Sequence, residues 1–193
     1  IDIDKYSNKK DKECNRTTLA NENEKIITHV SNMRPVKRPM DVIEIFYKIQ
    51  KEIPSKLLLV SEGPEIERLE YRVKELGIYD KVLFLGNSDD VNKVLCYSDV
   101  FLLPSMTESF GLAALEAMAA ETAIISTNTG GLPEVNINNV TGFLSDLGDV
   151  NEMAKNAIFI LENNERLETF KANAFKQAKT FSIDKILPLY EGV

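Results

Sequence analysis

Six short apolar segments, separated by helical patterns, constrain the fold of this chain more than any other feature. We predict them as β-strands at residues 26–30, 56–60, 81–85, 100–103, 123–126 and 142–144. Most are continuous apolar runs without strict alternation, which is typical of strands that are covered on both faces. Because strands that alternate with helices form parallel sheets, the sequence predicts an α/β fold with a doubly wound, Rossmann-like parallel sheet.

Helical patterns fill the segments between these strands, at residues 39–51, 65–76, 91–97 and 111–120, with a short turn near 132–135. After residue 149 the pattern is helical throughout, at residues 150–162, 166–179 and near 183–190. The first two dozen residues are polar, rich in lysine and asparagine, and show no periodicity. We therefore expect a linker or tail over residues 1–24 and a single domain with C-terminal helices over residues 25–193.

The composition argues against several classes of protein. With 44% hydrophobic and 27% charged residues it is typical of a soluble globular protein. We expect no transmembrane helix, because the chain has no apolar run of the length that a bilayer requires, and we also expect no signal peptide at its start. The net charge of −7 argues against a nucleic-acid partner, since nucleic-acid surfaces are normally basic.

Cys14 and Cys96 are the only cysteines, and their spacing matches no metal-binding or redox motif. We interpret them as two unrelated thiols of a cytoplasmic protein in a reducing compartment, with Cys96 in the core. His29 is the only histidine and lies in the first predicted strand, where we expect a structural or supporting role. So few cysteines and histidines exclude a zinc site, and we expect no metal.

The loops after the first five predicted strands carry most of the residues suited to ligand binding. They span residues 31–38, 61–64, 86–90, 104–110 and 127–131. In parallel α/β sheets such loops meet at the carboxyl edge, where ligands bind. Arg34 and Lys37 could neutralise a diphosphate there, or could form an ordinary solvated cluster with Arg38. Gly130 and Gly131 could form a backbone anion nest or simply a turn.

Residues 108–116 read Glu-Ser-Phe-Gly-Leu-Ala-Ala-Leu-Glu and are the most informative segment for function. Glu108 and Glu116 would bracket the first two turns of an alanine-rich helix, about 12 Å apart along its axis. That gap would span a sugar-diphosphate-ribose, with the free N–H groups of the first turn facing the phosphates. Gly111 would let a ligand approach closely. The alternative is that Glu116 marks the solvent face and Glu108 favours the helix start.

This combination resembles the C-terminal donor-binding domain of retaining GT-B glycosyltransferases, the Glu-x7-Glu family, group 1. The resemblance covers residues 26–190 and includes Ser-Asn-Met-Arg-Pro-Val-Lys-Arg at 31–38, Glu-Gly-Pro at 62–64, Gly-Gly-Leu-Pro-Glu at 130–134 and Asn-Val-Thr-Gly-Phe-Leu at 139–144. Residues 31–38 and the Ile-Gln-Lys-Glu-Ile-Pro at 49–54 look closest to the bacillithiol-pathway N-acetylglucosaminyl L-malate synthases.

The resemblance implies a role for each motif residue. Arg34 and Lys37 would hold the donor diphosphate and stabilise the leaving nucleotide, and Glu108 would bind the transferred hexose; these three are the expected catalytic residues. Glu116 would bind the ribose, and Ser88 would face the base. The other expected donor-binding positions are Asn32 and Gly63, with the backbone of Phe110, Gly111 and Leu112. Enzymes of this family retain the anomeric configuration and need no metal or other cofactor.

The resemblance also implies the reaction. A UDP-sugar, expected to be UDP-N-acetylglucosamine, would donate its hexose to a small acceptor such as L-malate. The acceptor would bind through a missing N-terminal domain, so we expect this chain alone to be inactive. An exposed apolar face on the last predicted helix would suit a homo-oligomer. Alternatives are a cell-surface glycan or glycolipid glycosyltransferase with the same donor, a non-catalytic nucleotide-binding module, and a nucleotide-sugar epimerase.

Two positions depart from the pattern of the family. Ser61 stands where the family usually has glycine, which would hinder close approach of a ligand there. The residues Ala-Ala-Glu-Thr at 119–122 replace the small residue and glycine that usually end the helix after Glu116. We therefore expect the loss of a glycine C-cap at this helix end.

Overall fold

The computed structural model describes residues 1–7, 14, 16–88 and 91–182. Its centre is a six-stranded parallel sheet with the strand order β3-β2-β1-β4-β5-β6. The strands are β1 Lys25–Val30, β2 Ser55–Val60, β3 Val82–Gly86, β4 Val100–Leu103, β5 Ala123–Thr127 and β6 Gly142–Ser145. The chain winds outward from β1 in one direction and from β4 in the other, which confirms the doubly wound α/β fold.

Helices cover both faces of this sheet. They are α1 Ile3–Tyr6, α2 Pro39–Gln50, α3 Ile66–Glu75, α4 Val91–Leu95, α5 Leu112–Ala119, α6 Leu132–Val135, α7 Val150–Leu161 and α8 Asn164–Lys179, with 3-10 turns at Arg16–Thr18, Pro35–Lys37 and Tyr79–Lys81. The predicted helices from residue 39 to 179 are therefore present, with ends that move by a few residues. The last predicted helix, near 183–190, lies outside the described residues, so the homo-oligomer stays a prediction.

The core consists of an apolar layer on each face of the sheet. Successive strand residues point to opposite faces. Leu57 and Leu59 of β2 pack with α2, α3 and α7 on one face. Phe101 and Leu103 of β4 pack with α5 and α6 on the other face. This double covering is the reason that the strands read as continuous apolar runs.

The first residues of the chain, predicted as a linker or tail, contact the domain where the structure describes them. Tyr6 is buried against the α5 side of the sheet. The guanidinium of Arg16 pairs with the carboxylate of Asp99 at 3.0 Å, and Asp99 also accepts an N–H bond from Ile26 of β1. These contacts attach the segment to the domain at two separate places.

The prediction of two unrelated thiols was wrong. The structure joins Cys14 to Cys96 in a disulfide, which links the segment before β1 to the turn after α4. Cys96 is half-buried, so it is not the core residue that the apolar pattern around it indicated. The pairing joins residues 82 positions apart, a relation that local patterns do not contain.

Both departures from the family pattern keep the backbone conformation that glycine favours. Ser61 has a φ of 88°, and its N–H donates to the carbonyl of Gly86 at 2.6 Å. Glu121 follows α5 with a φ of 59°. Its N–H donates to Met118 and the next N–H donates to Ala117, so the helix still ends in a Schellman motif. Glutamate thus stands at the position of the glycine C-cap, and the backbone keeps the geometry of that cap.

Candidate functional site

A cavity of about 310 Å³ lies at the carboxyl edge of the sheet, beside β1 and β4. These neighbouring strands are where the strand order reverses, the position at which doubly wound sheets bind ligands. The cavity is lined by Val30, Ser31, Asn32, Lys37, Leu103, Glu108, Leu112, Ala113 and Glu116. The loops after the first and fourth strands therefore meet at one site, together with the first turns of α5.

Five of the predicted site residues line this cavity: Asn32, Lys37, Glu108, Leu112 and Glu116. The other lining residues are Val30, Ser31, Leu103 and Ala113. Ser31 belongs to the predicted loop 31–38, whereas the other three were not predicted as site residues. The signal that could have found Val30 and Leu103 is their position at the carboxyl ends of predicted strands, and Ala113 is in the first turn of α5. The structure brings together two carboxylates and one ammonium group, which suits hydroxyl groups and an anion.

Lys37 and Glu108 form an ion pair within the cavity wall. The ammonium nitrogen of Lys37 lies 2.7 Å from the Oε1 atom of Glu108, and their side chains are 25% and 11% exposed. The two loops are also joined through their backbones, because the N–H of Met106 donates to the carbonyl of Val36 at 2.8 Å. A cation and a carboxylate are thus held side by side, and both remain accessible from the cavity.

Gly130 and Gly131 support the loop that carries Glu108. The N–H of Gly131 donates to the Glu108 carbonyl at 2.8 Å. A Cβ atom at Gly130 would overlap that same carbonyl oxygen, and one at Gly131 would lie 2.5 Å from the carbonyl oxygen of Ser109. The N–H of Gly131 is therefore used within the protein. Of the two alternatives for this pair, the anion nest does not apply to this N–H group, and the two glycines allow close packing of two loops.

Glu116 lies in the second turn of α5, which begins only at Leu112. Glu108 is therefore in the preceding loop and not on the helix, so the predicted separation of 12 Å along one helix axis does not apply. Glu116 is half-buried, and its burial raises its pKa above the ordinary value. A hydrogen bond from Tyr6 and the nearby charge of Lys5 act in the opposite direction.

By lacking a side chain, Gly111 does not open the space for a ligand that the sequence had indicated. Its φ is 63°, and it is buried directly before α5. A Cβ atom there would lie 3.2 Å from Leu132 and 3.6 Å from Val135, both on α6. Glycine therefore allows the left-handed backbone turn into α5 and lets this turn pack against α6. The position that a side chain would occupy faces the protein interior.

The remaining predicted site residues do not line the cavity. Arg34 is exposed, and the described part of the chain offers its guanidinium no hydrogen bond or ion pair. Phe110 is 82% exposed beside the start of α5. Gly63 lies behind the cavity wall, where a Cβ atom would overlap the carbonyl of Asn32. Ser88 is half-buried in the loop after β3.

His29 has the structural role expected for it. Its Nδ1 atom lies 2.8 Å from the Leu102 carbonyl, and its Nε2 atom lies 2.8 Å from the hydroxyl of Ser31. The carbonyl can only accept, so Nδ1 carries the hydrogen and Nε2 accepts from Ser31. Ser31 also accepts from the N–H of Met33 at 3.1 Å. His29 thereby holds the start of the loop that lines the cavity.

Acidification is expected to destabilise the fold through His29. Its burial lowers its pKa from 6.5 to about 4, so between these values only the unfolded chain binds the proton. The stabilising effect of neutral His29 is full above pH 6.5 and falls as the pH decreases towards 4. Relative to His29→Gln, the wild type should lose about 3 kcal/mol of unfolding free energy between pH 7 and pH 4. Urea unfolding at both values measures this loss, and a pH-independent difference would contradict it.

Two further properties bear on function. In the part of the chain that the structure describes, no cluster of three or more histidine, cysteine, aspartate or glutamate residues is arranged to hold a metal ion. Among the described helices, none combines the length and apolar character needed to cross a membrane.

Known proteins similar to this chain agree with the fold. Residues 11–177 match the family described as "Glycosyl transferases group 1". The N-acetyl-alpha-D-glucosaminyl L-malate synthase of Bacillus anthracis is 44% identical over 173 residues, covering 89% of this chain and 45% of the relative. The D-inositol 3-phosphate glycosyltransferase of Mycobacterium sp. (strain KMS) is 32% identical over 167 residues, covering 82% of this chain and 37% of the relative. The chain thus spans less than half the length of these two curated relatives.

The solved structure of Anabaena HepE in complex with UDP and glucose has the same fold. It matches 100% of this chain with 54% of its own length, with a TM-score of 0.89 and 23% sequence identity. The six-stranded parallel sheet with its covering helices is thus the Rossmann-like unit found in GT-B glycosyltransferase structures. From the sequence match and the shared fold together, the chain belongs to the glycosyl transferases group 1 family.

Proposed function

We propose that this chain is the donor-binding part of a retaining glycosyltransferase that transfers N-acetylglucosamine from UDP-N-acetylglucosamine to a small acceptor such as L-malate. The observation that carries the proposal is the cavity at the strand-order reversal, with Lys37, Glu108 and Glu116 in its wall. HepE, which shares the fold, is described in complex with UDP. The malate synthase, at 44% identity, supports the choice of sugar and acceptor.

The ion pair in the cavity gives Lys37 and Glu108 complementary roles. When a diphosphate enters, its oxygens compete with Glu108 for the ammonium group of Lys37. Glu108 is then available to accept hydrogen bonds from hydroxyl groups of the hexose. Arg34 is exposed, and its planar guanidinium can reach toward two phosphate oxygens. These cations would stabilise the charge that develops on the leaving nucleotide, which is the main catalytic contribution expected here.

Glu116 and the start of α5 would hold the nucleoside side of the donor. A carboxylate can accept hydrogen bonds from two vicinal hydroxyl groups, as a ribose presents them. The N–H groups at the beginning of α5, together with the backbone from Phe110 to Leu112, would face the phosphates. Asn32, Gly63 and Ser88 complete the proposed donor site. No metal or other cofactor takes part in this proposal.

The size of the cavity supports a site that a second domain completes. At about 310 Å³ it is at the small end of the range for ligand pockets, roughly 300–1,000 Å³. We propose that an N-terminal domain binds the acceptor and closes over the donor. This chain by itself is therefore expected to bind the nucleotide but not to transfer the sugar. A cytoplasmic location also stays part of the proposal, and the Cys14–Cys96 disulfide is the observation against it.

Calorimetric titration of the chain tests the donor site. UDP and UDP-N-acetylglucosamine should bind more tightly than GDP, with UDP-glucose as a second sugar for comparison. Glu116→Ala and Arg34→Ala should each weaken the binding of UDP by roughly tenfold to a hundredfold, because each removes charge-assisted hydrogen bonds. Arg68→Ala is the matched control, since this arginine is 69% exposed and lies outside the cavity.

Two results would contradict the proposal. Binding of UDP that is unchanged in both variants would place the nucleotide elsewhere on the protein. Failure of the folded chain and of a full-length protein to bind any of the four nucleotides would exclude a nucleotide-sugar site. A third result would contradict only the acceptor: transfer to D-inositol 3-phosphate instead of L-malate, assayed with the full-length protein, would leave the proposed donor site unchanged.

A further inference from the structure

We propose that Ser31 is a further contact for the transferred sugar and that His29 is its positioning residue: the imidazole directs the Ser31 hydroxyl group so that it offers the ligand an acceptor and no donor. This inference rests on the proposed donor site, because Ser31 lines the same cavity. It gives the buried histidine a role beyond the support of a loop.

The carbonyl of Leu102 fixes the direction of the hydrogen bonds around Ser31. This carbonyl can only accept, so the Nδ1 atom of His29, at 2.8 Å, carries the hydrogen of the imidazole. Burial lowers the pKa of His29 to about 4, so the ring is neutral at pH 7 and its Nε2 atom is an acceptor. The hydroxyl group of Ser31 lies 2.8 Å from Nε2 and donates its single hydrogen there. That hydrogen is therefore not available to a ligand.

The oxygen of Ser31 keeps one lone pair for a ligand. Of its two lone pairs, one accepts from the N–H of Met33 at 3.1 Å. Met33 is fully buried, and its carbonyl accepts from the N–H of Glu65 at 3.2 Å, so the turn around Ser31 is held in place. The Met33 sulfur, 3.6 Å from the Oγ atom, is a weaker acceptor than the imidazole nitrogen and does not draw the hydroxyl hydrogen away from it. Ser31 is half-buried in the cavity wall, so it can accept one bond from a ligand and donate none.

An acceptor of this kind suits a sugar and not a phosphate. The phosphate oxygens of a nucleoside diphosphate are themselves acceptors, so they bind to a cation such as Lys37 and not to the free lone pair of Ser31. Hydroxyl groups and the N–H of an acetamido group are donors, which this lone pair can accept. Lys37 belongs to the same loop as Ser31 and lies 2.7 Å from Glu108, the proposed carboxylate for the hexose. Ser31 therefore belongs to the part of the cavity that would receive the hexose.

Calorimetry on the 193-residue chain with UDP and with UDP-N-acetylglucosamine tests the contact. Ser31→Ala removes the hydroxyl group, and any shift of the loop that follows affects both ligands. The affinity ratio, which is the affinity for UDP-N-acetylglucosamine divided by that for UDP, therefore isolates the sugar. We expect Ser31→Ala to lower the affinity ratio about three- to tenfold, the scale of one hydrogen bond between neutral groups. Ser7→Ala is the matched control, since Ser7 is exposed and lies outside the cavity.

A double-mutant cycle tests whether His29 acts through Ser31. His29→Asn keeps an amide nitrogen that can donate to the Leu102 carbonyl, but it has no acceptor at the position of Nε2. The hydroxyl group of Ser31 can then turn its hydrogen towards the ligand, so we expect the same loss of the affinity ratio, about three- to tenfold. In the Ser31→Ala background, His29→Asn should cause no further loss. A purely structural role of His29 would leave the ratio unchanged, or would lower it equally in both backgrounds.

Two results would overturn the inference and leave the donor site in place. An affinity ratio that Ser31→Ala does not change would show that this hydroxyl group does not contact the sugar. Equal losses from His29→Asn with and without the Ser31 hydroxyl group would show that the histidine does not act through it. Should His29→Asn not fold, the ratio for Ser31→Ala still decides the proposal, because a positioned hydroxyl group that contacts no sugar has no role. A wild-type chain that binds neither ligand would overturn the proposed donor site as well.

Discussion

Replacing Asp99 by asparagine is expected to lower the free energy of unfolding by about 3–5 kcal/mol, the cost of removing one partner from a buried ion pair. The side chain of Asp99 is only 2% exposed. One oxygen lies 2.7 Å from the ammonium group of Lys171 in α8, and the other lies 3.0 Å from Arg16 and 2.9 Å from the N–H of Ile26. Asparagine would leave the two cations without a compensating charge.

The pKa of Asp99 shows the same balance. Burial by itself would raise this pKa, but Lys171 and Arg16 outweigh it and leave the value below the ordinary 3.8. The ionised form therefore stabilises the fold fully above the ordinary pKa, and this contribution is lost as the pH falls through the lower folded value. The aspartate joins the segment before β1, the sheet and the last described helix.

Urea unfolding of the wild type and Asp99→Asn at pH 7 measures the effect. Glu162→Gln is the matched control, because Glu162 pairs with Arg166 one helical turn away and its side chain is 53% exposed. Such a surface pair contributes about 0–1 kcal/mol, so the control should change little. Equal losses in the two variants would contradict the view that burial makes Asp99 important.

Reduction of the Cys14–Cys96 disulfide is expected to lower the unfolding free energy by up to about 4 kcal/mol. The bond joins residues 82 positions apart. Opening a loop of this length gives the unfolded chain more conformational freedom, and the chain-entropy model assigns about 4 kcal/mol to it. Urea unfolding with and without a reductant measures the difference. The chain has only two cysteines, so unreduced protein in denaturant should show no reactive thiol.

The double variant Cys14→Ser/Cys96→Ser is the control for this experiment. It should have the stability of the reduced protein and should not respond to the reductant. Two reactive thiols in the unreduced wild type would contradict the disulfide. That result would restore the interpretation of the cysteines as separate thiols and would support the proposed cytoplasmic location.

The helices and strands of the fold could be predicted because buried segments have a recognisable pattern of apolar residues along the chain. The buried segment of β2, for example, reads as a continuous apolar run, and α2 shows its apolar face with the period of a helix. The carboxyl edge could also be predicted, since parallel strands bring their following loops together. For the same reason Lys37, Glu108 and Glu116 were predicted from the sequence as candidate site residues, and the structure places all three in one cavity wall.

The structural roles of several glycine residues could not be predicted from the sequence. Gly111 was expected to admit a ligand, but its missing side chain makes room for Leu132 and Val135 of α6. For Gly130 and Gly131 the sequence left open an anion nest or a simple turn, and the structure packs both glycines against the loop of Glu108. Glycine patterns show that a side chain would not fit. They do not show which atoms occupy the space.

The sequence by itself determined the parallel α/β architecture, the edge that carries the site and the family, because periodicity, strand-end loops and motifs are properties of neighbouring residues. Only the tertiary structure decided that Tyr6 packs on the α5 side of the sheet, that Cys14 joins Cys96 and that Asp99 holds Arg16 and Lys171. Each of these contacts joins residues that are far apart along the chain. Such contacts depend on how the helices and the first residues pack on the sheet, and no local pattern records that packing.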